Sequence, residues 1–207
     1  METAHKLIII TGATGTGKTT VSRYLTDNYH IKRVMTHTTR PKRIGEENGV
    51  DYYFETPESF ATKHYIEAVT YAGYQYGSSH ESLNKAWAKA PFVSIVLDTA
   101  GAITYARNIP DDIVVLYLTI NDPNVLRQRL LGRGDDPKMV EARLKSPEYT
   151  RDLSLPAELK PFATVINNDS WPDAQVQIDA FMKHLALNAA GLSTNVANGT
   201  TTEMPES

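Results

Sequence analysis

Short apolar runs alternate with amphipathic segments along most of this chain. The apolar runs lie at residues 6–10, 92–97, 113–118 and 163–166. They are short and rich in β-branched residues, which is typical of buried parallel strands. Helical patterns lie between them, and several begin with proline after a capping residue, as at Thr56-Pro57, Asp122-Pro123 and Asp136-Pro137. This alternation predicts an α/β fold whose parallel sheet is covered by helices on both faces.

The alternation is interrupted between residues 34 and 76. This stretch is rich in aromatic, glycine and charged residues, and its apolar positions alternate in short segments such as residues 66–71. Such alternation predicts half-buried strands. We therefore expect a small β-rich insertion at 34–76, inside a core made of residues 1–33 and 77–186. Residues 187–207 are small and polar and have no period, which predicts a disordered tail.

The segment after the first apolar run carries the most specific motif of the chain. Residues 12–20 read GATGTGKTT, with Gly12 and Gly17 followed by Lys18 and Thr19. Between a strand and a helix this pattern is a Walker A loop, whose backbone N–H groups and helix N-terminus bind phosphate oxygens. Lys18 is expected to reach the β- and γ-phosphates of a nucleotide, and the Thr19 hydroxyl to ligate Mg²⁺. The predicted phosphate-binding residues are Gly12, Ala13, Thr14, Gly15, Thr16, Gly17, Lys18, Thr19 and Thr20.

Composition narrows the possible functions further. The chain has 207 residues, a formal net charge of −3 and no cysteine. The charge argues against a nucleic-acid partner bound by a broad basic surface, and the lack of cysteine excludes disulfides, thiolate metal sites and thiol catalysis. The apolar run near the N-terminus is too short for a signal segment or a membrane span. We expect a cytoplasmic protein without a membrane or nucleic-acid partner.

The insertion resembles the GMP-binding signature of guanylate kinases. The similar stretch is residues 37–54, HTTRPKRIGEENGVDYYF, and Tyr76-Gly77-Ser78 resembles the second half of the signature. Further similarity at residues 95–98, 126–133 and 166–169 extends the resemblance to roughly residues 7–186. It implies a P-loop nucleoside monophosphate kinase with a three-layer parallel sheet core, an acceptor-binding insertion and a helical lid at about 129–160. The implied reaction transfers the γ-phosphate of ATP to GMP or dGMP, with Mg²⁺ as cofactor.

The resemblance assigns the acceptor's phosphate to four side chains. Arg40 and Arg43 stand three apart, and guanidinium groups suit a phosphate because they donate in a fork. Tyr52 and Tyr76 are each expected to donate an O–H to the same phosphate. A solvated charged loop is the alternative reading of the two arginines, since such loops are common on protein surfaces.

Guanine recognition is assigned mainly to Glu67. Guanine offers two adjacent donors, the ring N–H and the exocyclic amine, and a carboxylate can accept from both. Adenine lacks this pair, so a buried carboxylate would discriminate against it. Thr36 and Ser78 occupy positions where the family places small hydroxyl residues against the base. A surface position on an alternating strand is the alternative for Glu67, and its neighbours in sequence do not decide between the two.

The donor side and the lid supply the remaining candidates. Asp98 ends the second apolar run and is expected to hold Mg²⁺ as a Walker B acid, while a plain strand-terminal aspartate is the alternative. The resemblance places Asn168 near the adenine of ATP. It also makes lid arginines of Arg129, Arg133 and Arg143, which with Lys18 and Arg40 form the predicted catalytic set. No general base is needed, because the acceptor is a phosphate oxygen that is already nucleophilic.

Two departures from the family pattern leave alternatives open. Ala100 stands where the family has a second aspartate, and residues 145–161 contain three prolines, which argues against a continuous lid helix. Because Ala100 lacks the family's second carboxylate, a related P-loop kinase for another nucleotide or a sugar phosphate is the second hypothesis. A catalytically inactive guanylate-kinase-like binding module is the third, although the intact Lys18 and Thr19 oppose it. The oligomeric state is expected to be a monomer or a homodimer.

Overall fold

In this computed structural model the described residues are 5–42, 45–71, 73–132 and 137–189. Within them the strands are β1 (Lys6–Gly12), β2 (Lys32–Arg33), β3 (His37–Thr38), β4 (Tyr53–Phe54), β5 (Tyr65–Tyr71), β6 (Tyr74–Ser79), β7 (Phe92–Val96), β8 (Ile113–Thr119) and β9 (Ala163–Asn167). The α-helices are α1 (Lys18–Tyr29), α2 (Pro57–Phe60), α3 (His80–Trp87), α4 (Thr99–Asn108), α5 (Pro123–Gly132), α6 (Pro137–Leu144), α7 (Pro147–Asp152) and α8 (Trp171–Ala189).

The core is a parallel sheet with the strand order β2-β7-β1-β8-β9. Four of its strands are the apolar runs of the sequence. The fifth, β2, has two exposed residues and pairs Lys32 with Val93. It carries no apolar pattern, so the sequence reading missed it.

Helices cover both faces of this sheet, as the sequence predicts. Leu7 and Ile9 of β1 belong to one buried cluster, which includes residues of α4. Ile8 and Ile10 belong to a second cluster, which includes residues of α1 and α8. All four side chains are fully buried, so successive residues of β1 contact opposite layers, as the pleat of a strand requires.

The predicted insertion forms a second sheet with the order β4-β3-β6-β5. Its last strand continues to Ser79, three residues past the expected boundary at 76, because Gly77, Ser78 and Ser79 still pair with β5. A Cβ on Gly77 would lie 2.6 Å from the ring of Tyr65, so the absence of a side chain allows this close pairing. Ser78 therefore lies next to Ser79, which is both the last residue of β6 and the N-cap of α3.

The predicted lid region is a series of short helices. α5, α6 and α7 each begin at a proline, and a 3-10 helix follows at Ala157–Phe162. Proline is accepted at the first helical turn but ends any helix that precedes it. α8 continues to Ala189, so the first three residues of the predicted tail belong to this helix. The rest of the predicted tail, residues 190–207, lies outside the described residues. Among the described residues, no helix is both long enough and apolar enough to span a membrane.

Candidate active site

The glycine-rich loop turns sharply between β1 and α1. Gly12, Gly15 and Gly17 all have positive φ angles, of 130°, 85° and 97°. A Cβ on Gly12 would lie 2.3 Å from the carbonyl oxygen of Leu118, and one on Gly17 would lie 2.4 Å from the amide nitrogen of Asn168. Glycine is therefore required at both positions for conformation and for space.

The N-terminus of α1 is open to an anion. Gly17 caps the helix without a side-chain hydrogen bond, and its first turn contains no acidic residue. The Lys18 ammonium group lies inside the loop, where it donates to the carbonyl oxygens of Gly12 and Ala13 at 2.6 and 2.8 Å. Thr16 also donates to Ala13 and is buried. The helix therefore presents its positive end and its first N–H groups to the neighbouring groove.

This donor groove has a volume of about 610 Å³. Most of the residues that were predicted to bind ATP line this groove. The other three, Gly12, Ala13 and Thr16, belong to the same loop but do not line the groove. Its lining residues are Thr14, Gly15, Gly17, Lys18, Thr19, Thr20, Arg129, Gly132, Asn168 and Trp171.

Asn168 lines the donor groove and is held by the phosphate loop. Its amide nitrogen donates to the carbonyl oxygen of Thr16 at 2.7 Å. Its amide oxygen is buried and has no hydrogen-bond partner. An orphaned buried acceptor is rare in proteins, and a ligand donor is one way to satisfy it. The guanidinium of Arg129 donates to the carbonyl oxygens of Asn168 and Asp169 at 2.9 and 3.3 Å, so it braces this segment.

The insertion brings together three of the four predicted phosphate ligands. The guanidinium carbon of Arg40 lies 5.7 Å from the ring centre of Tyr52 and 5.7 Å from that of Phe54. The Tyr76 hydroxyl interacts with the same guanidinium group. Tyr52 and Tyr76 stand edge to face with centroids 6.4 Å apart. Arg43 lies outside the described residues.

Glu46 is a partner of Arg40 that the sequence reading did not identify. Its two carboxylate oxygens accept from the two terminal guanidinium nitrogens at 2.8 and 2.9 Å. This is the bidentate geometry that a phosphate would use. A phosphate at this position would present the same chemistry to Arg40 as Glu46 does.

Glu67 stands at the end of a hydrogen-bonded chain that starts in the core. Tyr105 of α4 is fully buried and donates to the Ser78 hydroxyl at 2.8 Å. Ser78 in turn donates to Glu67 at 3.0 Å. Burial raises the pKa of the Glu67 carboxyl, the Ser78 hydrogen bond opposes this shift, and the charge of Asp98 adds to it. Tyr105 gives no motif signal in the sequence, because its contact with Ser78 depends on tertiary packing.

The raised pKa of Glu67 predicts a pH-dependent difference in stability. A carboxyl with a higher pKa in the folded state stabilises the fold below its unfolded pKa, about 4.3, and loses that contribution as the pH rises through the folded pKa. Glu67→Gln removes the buried charge, so we expect a higher Tm than wild type at pH 7.5 and a difference that disappears towards pH 4. For a chain of this size each kcal/mol of stability corresponds to roughly 2–4 °C in Tm. Calorimetry at several pH values checks this, and a constant difference across them would contradict it.

Asp98 lies at the carboxyl end of β7 and caps α4. One carboxylate oxygen accepts from the Gly101 N–H at 2.8 Å. The other accepts from the guanidinium of Arg151 at 2.8 Å. The carboxylate is about half exposed. The capping role of a strand-terminal aspartate is therefore present here, and the second oxygen faces the lid.

A central groove of about 610 Å³ lies where the loop, the insertion and the lid meet. Thr14 represents the phosphate loop in its lining, Tyr76 the insertion, and Arg143 the lid, with Asp98 beside them. Arg133 lies outside the described residues. Thr36 lines a separate groove of about 470 Å³ that also contains Thr19 and Tyr52. Thr19 of the phosphate loop and Tyr52 of the insertion therefore line the same space.

Similarity to known proteins identifies the family. The family model described as guanylate kinase matches residues 4–185 of the chain. The chain belongs to the guanylate kinase family. The guanylate kinase of Neisseria gonorrhoeae is 34% identical over 175 residues, which are 82% of this chain and 82% of the relative. That of Streptococcus pyogenes is 35% identical over 143 residues, which are 66% of this chain and 67% of the relative.

The crystal structure of guanylate kinase from Anaplasma phagocytophilum shares the fold of this family member. It is 22% identical, with a TM-score of 0.62 over 91% of this chain and 88% of that one. The predicted resemblance to guanylate kinases and the predicted α/β fold class are therefore confirmed.

Proposed function

We propose that this chain carries out the reaction of the guanylate kinase family, transfer of the γ-phosphate of ATP to GMP, in the grooves described above. Family membership supports an ATP:GMP phosphotransferase. The observation that carries the proposal for the site is the central groove. Thr14 of the phosphate loop and Tyr76 of the acceptor insertion line the same space, so a donor and an acceptor phosphate can meet there.

On the donor side, Lys18 and the N-terminus of α1 bind the phosphates of ATP. The Lys18 ammonium exchanges its two loop carbonyls for the β- and γ-phosphates. Asn168 accepts a hydrogen bond from the adenine amine through its orphaned amide oxygen. Thr14, Gly15, Gly17, Thr19 and Thr20 complete this side. Arg129 braces the Asn168 segment, so its contribution to catalysis is through positioning.

On the acceptor side, Arg40, Tyr52 and Tyr76 bind the phosphate of GMP, and Glu67 with Ser78 reads the guanine. Binding of GMP replaces Glu46 on Arg40 with the acceptor phosphate. Thr36 and Arg43 belong to the same proposed site, and Arg133 with Arg143 to the lid that closes over it. The acceptor oxygen attacks without a general base, so alignment and charge neutralisation carry the catalysis.

Mg²⁺ fits the donor side through the chemistry of Thr19 and Asp98. A hydroxyl and a carboxylate are the hard oxygen donors that Mg²⁺ prefers, and it is commonly held by one or two carboxylates together with substrate phosphates. The described part of the chain contains no group of three or more His, Cys, Asp or Glu side chains that could hold a metal. When bound, Mg²⁺ would neutralise charge between the β- and γ-phosphates.

An acceptor panel tests the proposed function. ADP release is measured with ATP and Mg²⁺ and, in turn, GMP, dGMP, AMP, CMP, UMP and a sugar phosphate. We expect turnover with GMP to be well above that with AMP, CMP and UMP. Activity with another acceptor alone would favour the related kinase, and no activity with any acceptor would favour the inactive module.

The cytoplasmic location and the oligomeric state, a monomer or a homodimer, stay predictions from the sequence.

A further inference from the structure

The guanidinium of Arg151 bridges the lid and the core. Its Nη2 donates to Asp98 Oδ2 at 2.8 Å. Its Nε donates to Thr99 Oγ1 at 3.0 Å and to Asp152 Oδ1 at 2.8 Å. Asp98 and Thr99 lie at the start of α4, whereas Arg151 and Asp152 end α7. One side chain therefore connects the proposed metal carboxylate with the lid.

The two halves of this bridge differ in burial. Asp152 is buried, accepts from the Thr99 hydroxyl at 2.5 Å, and accepts from the Tyr117 hydroxyl at its backbone oxygen at 2.9 Å. These contacts hold the end of α7 without Arg151. The ion pair itself is open, since the side chains of Arg151 and Asp98 are 36% and 49% exposed. Ion pairs that contact water are weak, so this half can exchange while the buried half stays in place.

Arg151 holds the carboxylate oxygen that a metal would need. Asp98 Oδ1 is already used by the Gly101 N–H, which leaves Oδ2 for a cation. The negative charge of Asp98 also raises the pKa of the Glu67 carboxyl, because the two carboxylates repel each other. A single cation at Oδ2 offsets this repulsion. A divalent cation at the same oxygen would repel the guanidinium beside it.

We propose that Arg151 is an internal counter-cation of Asp98 that competes with Mg²⁺ and is displaced when the magnesium nucleotide binds. The inference rests on the proposed function, because it takes Asp98 as part of the metal site. Arg151 is then a positioning residue, which keeps Asp98 neutralised and oriented until the magnesium nucleotide binds. It also makes metal binding to the protein depend on the nucleotide phosphates, because Asp98 alone is already paired.

Calorimetric binding of a non-hydrolysable ATP analogue tests the competition. The magnesium gain is defined as the Kd measured with EDTA divided by the Kd measured with Mg²⁺. We expect Arg151→Met to increase this gain about two- to fivefold, since an exposed ion pair no longer has to be broken. In an Asp98→Asn background the same change is expected to have no effect. Arg107→Met is the matched control, because Arg107 forms an exposed pair with Glu158 at 3.6 Å.

The outcomes separate the inference from the proposed function. A magnesium gain of Arg151→Met equal to that of wild type, or an equal increase with Asp98→Asn present, overturns the role of Arg151 alone if wild type phosphorylates GMP. A wild-type chain with neither magnesium gain nor phosphorylation of GMP overturns both proposals. Arg151→Lys keeps one cation near Asp98 and is expected to give a gain between those of wild type and Arg151→Met. If Arg151→Met does not fold, the magnesium gain of Arg151→Lys still tests the inference.

Discussion

Lys18→Ala is expected to lower kcat for GMP phosphorylation by about 10²–10³-fold, which corresponds to roughly 3–4 kcal/mol of transition-state stabilisation. The ammonium group is the cation that the phosphate loop itself supplies to the β- and γ-phosphates. Charge on the transferred phosphoryl group shifts during the reaction. Loss of the Lys18 ammonium group therefore affects turnover more than the KM for GMP. Steady-state kinetics with saturating ATP and GMP measure the effect.

A structural role of Lys18 must be separated from this catalytic role. The ammonium donates to the carbonyl oxygens of Gly12 and Ala13, so its removal also costs stability, on the order of 1 kcal/mol for each lost hydrogen bond. Lys183→Ala, on the exposed face of α8, is the matched control and is expected to leave kcat unchanged. Thermal unfolding shows that both variants are folded at the assay temperature. A folded Lys18→Ala enzyme with wild-type kcat would exclude the proposed role.

The phosphate loop could be predicted from the sequence because its requirements are local. Gly12 and Gly17 allow backbone conformations and close approaches that other residues do not. The spacing of Lys18 from them then follows from the turn and the first residue of α1. The buried strands were also predictable, since Leu7 to Ile10 are apolar on both faces of a covered sheet.

Contacts between distant segments could not be predicted in the same way. Arg151 reaches Asp98 across 53 positions and Tyr105 reaches Ser78 across 27. Neither pair has a spacing that a motif could reveal, because both depend on how α4 packs against its neighbours. Glu46 was missed for a different reason. The resemblance assigned Arg40 to a substrate phosphate, and the spacing of six residues between Arg40 and Glu46 carries no motif that indicates an ion pair.

Ala100 leaves the proposed guanine site with fewer carboxylates than the family pattern. It lies exposed in the first turn of α4, two residues after Asp98. Both carboxylate oxygens of Asp98 already accept a hydrogen bond, one from the Gly101 N–H and one from the Arg151 guanidinium. In the proposed site, discrimination between guanine and adenine therefore falls on Glu67, together with the hydroxyl groups of Ser78 and Thr36.

Glu67→Gln is accordingly expected to reduce kcat/KM for GMP by about 10²-fold and to leave the low value for AMP nearly unchanged. A glutamine oxygen can accept from only one of the two guanine donors, and the amide NH₂ then faces the other donor. The selectivity for GMP over AMP falls by the same factor. Kinetics with both nucleotides at fixed MgATP measure it, with the loss expected mainly in KM because the base is bound similarly in the ground and transition states.

Two comparisons make this result specific to base recognition. Glu158→Gln alters an exposed carboxyl in the 3-10 helix at Ala157–Phe162 and is expected to retain wild-type selectivity. Glu67→Gln should bind ATP as wild type does, because Glu67 is not among the residues that line the donor groove. Loss of ATP binding would indicate a disturbed fold. Unchanged GMP and AMP kinetics in a folded Glu67→Gln enzyme would remove Glu67 from the base-reading site and leave Ser78 and Thr36 as its remaining candidates.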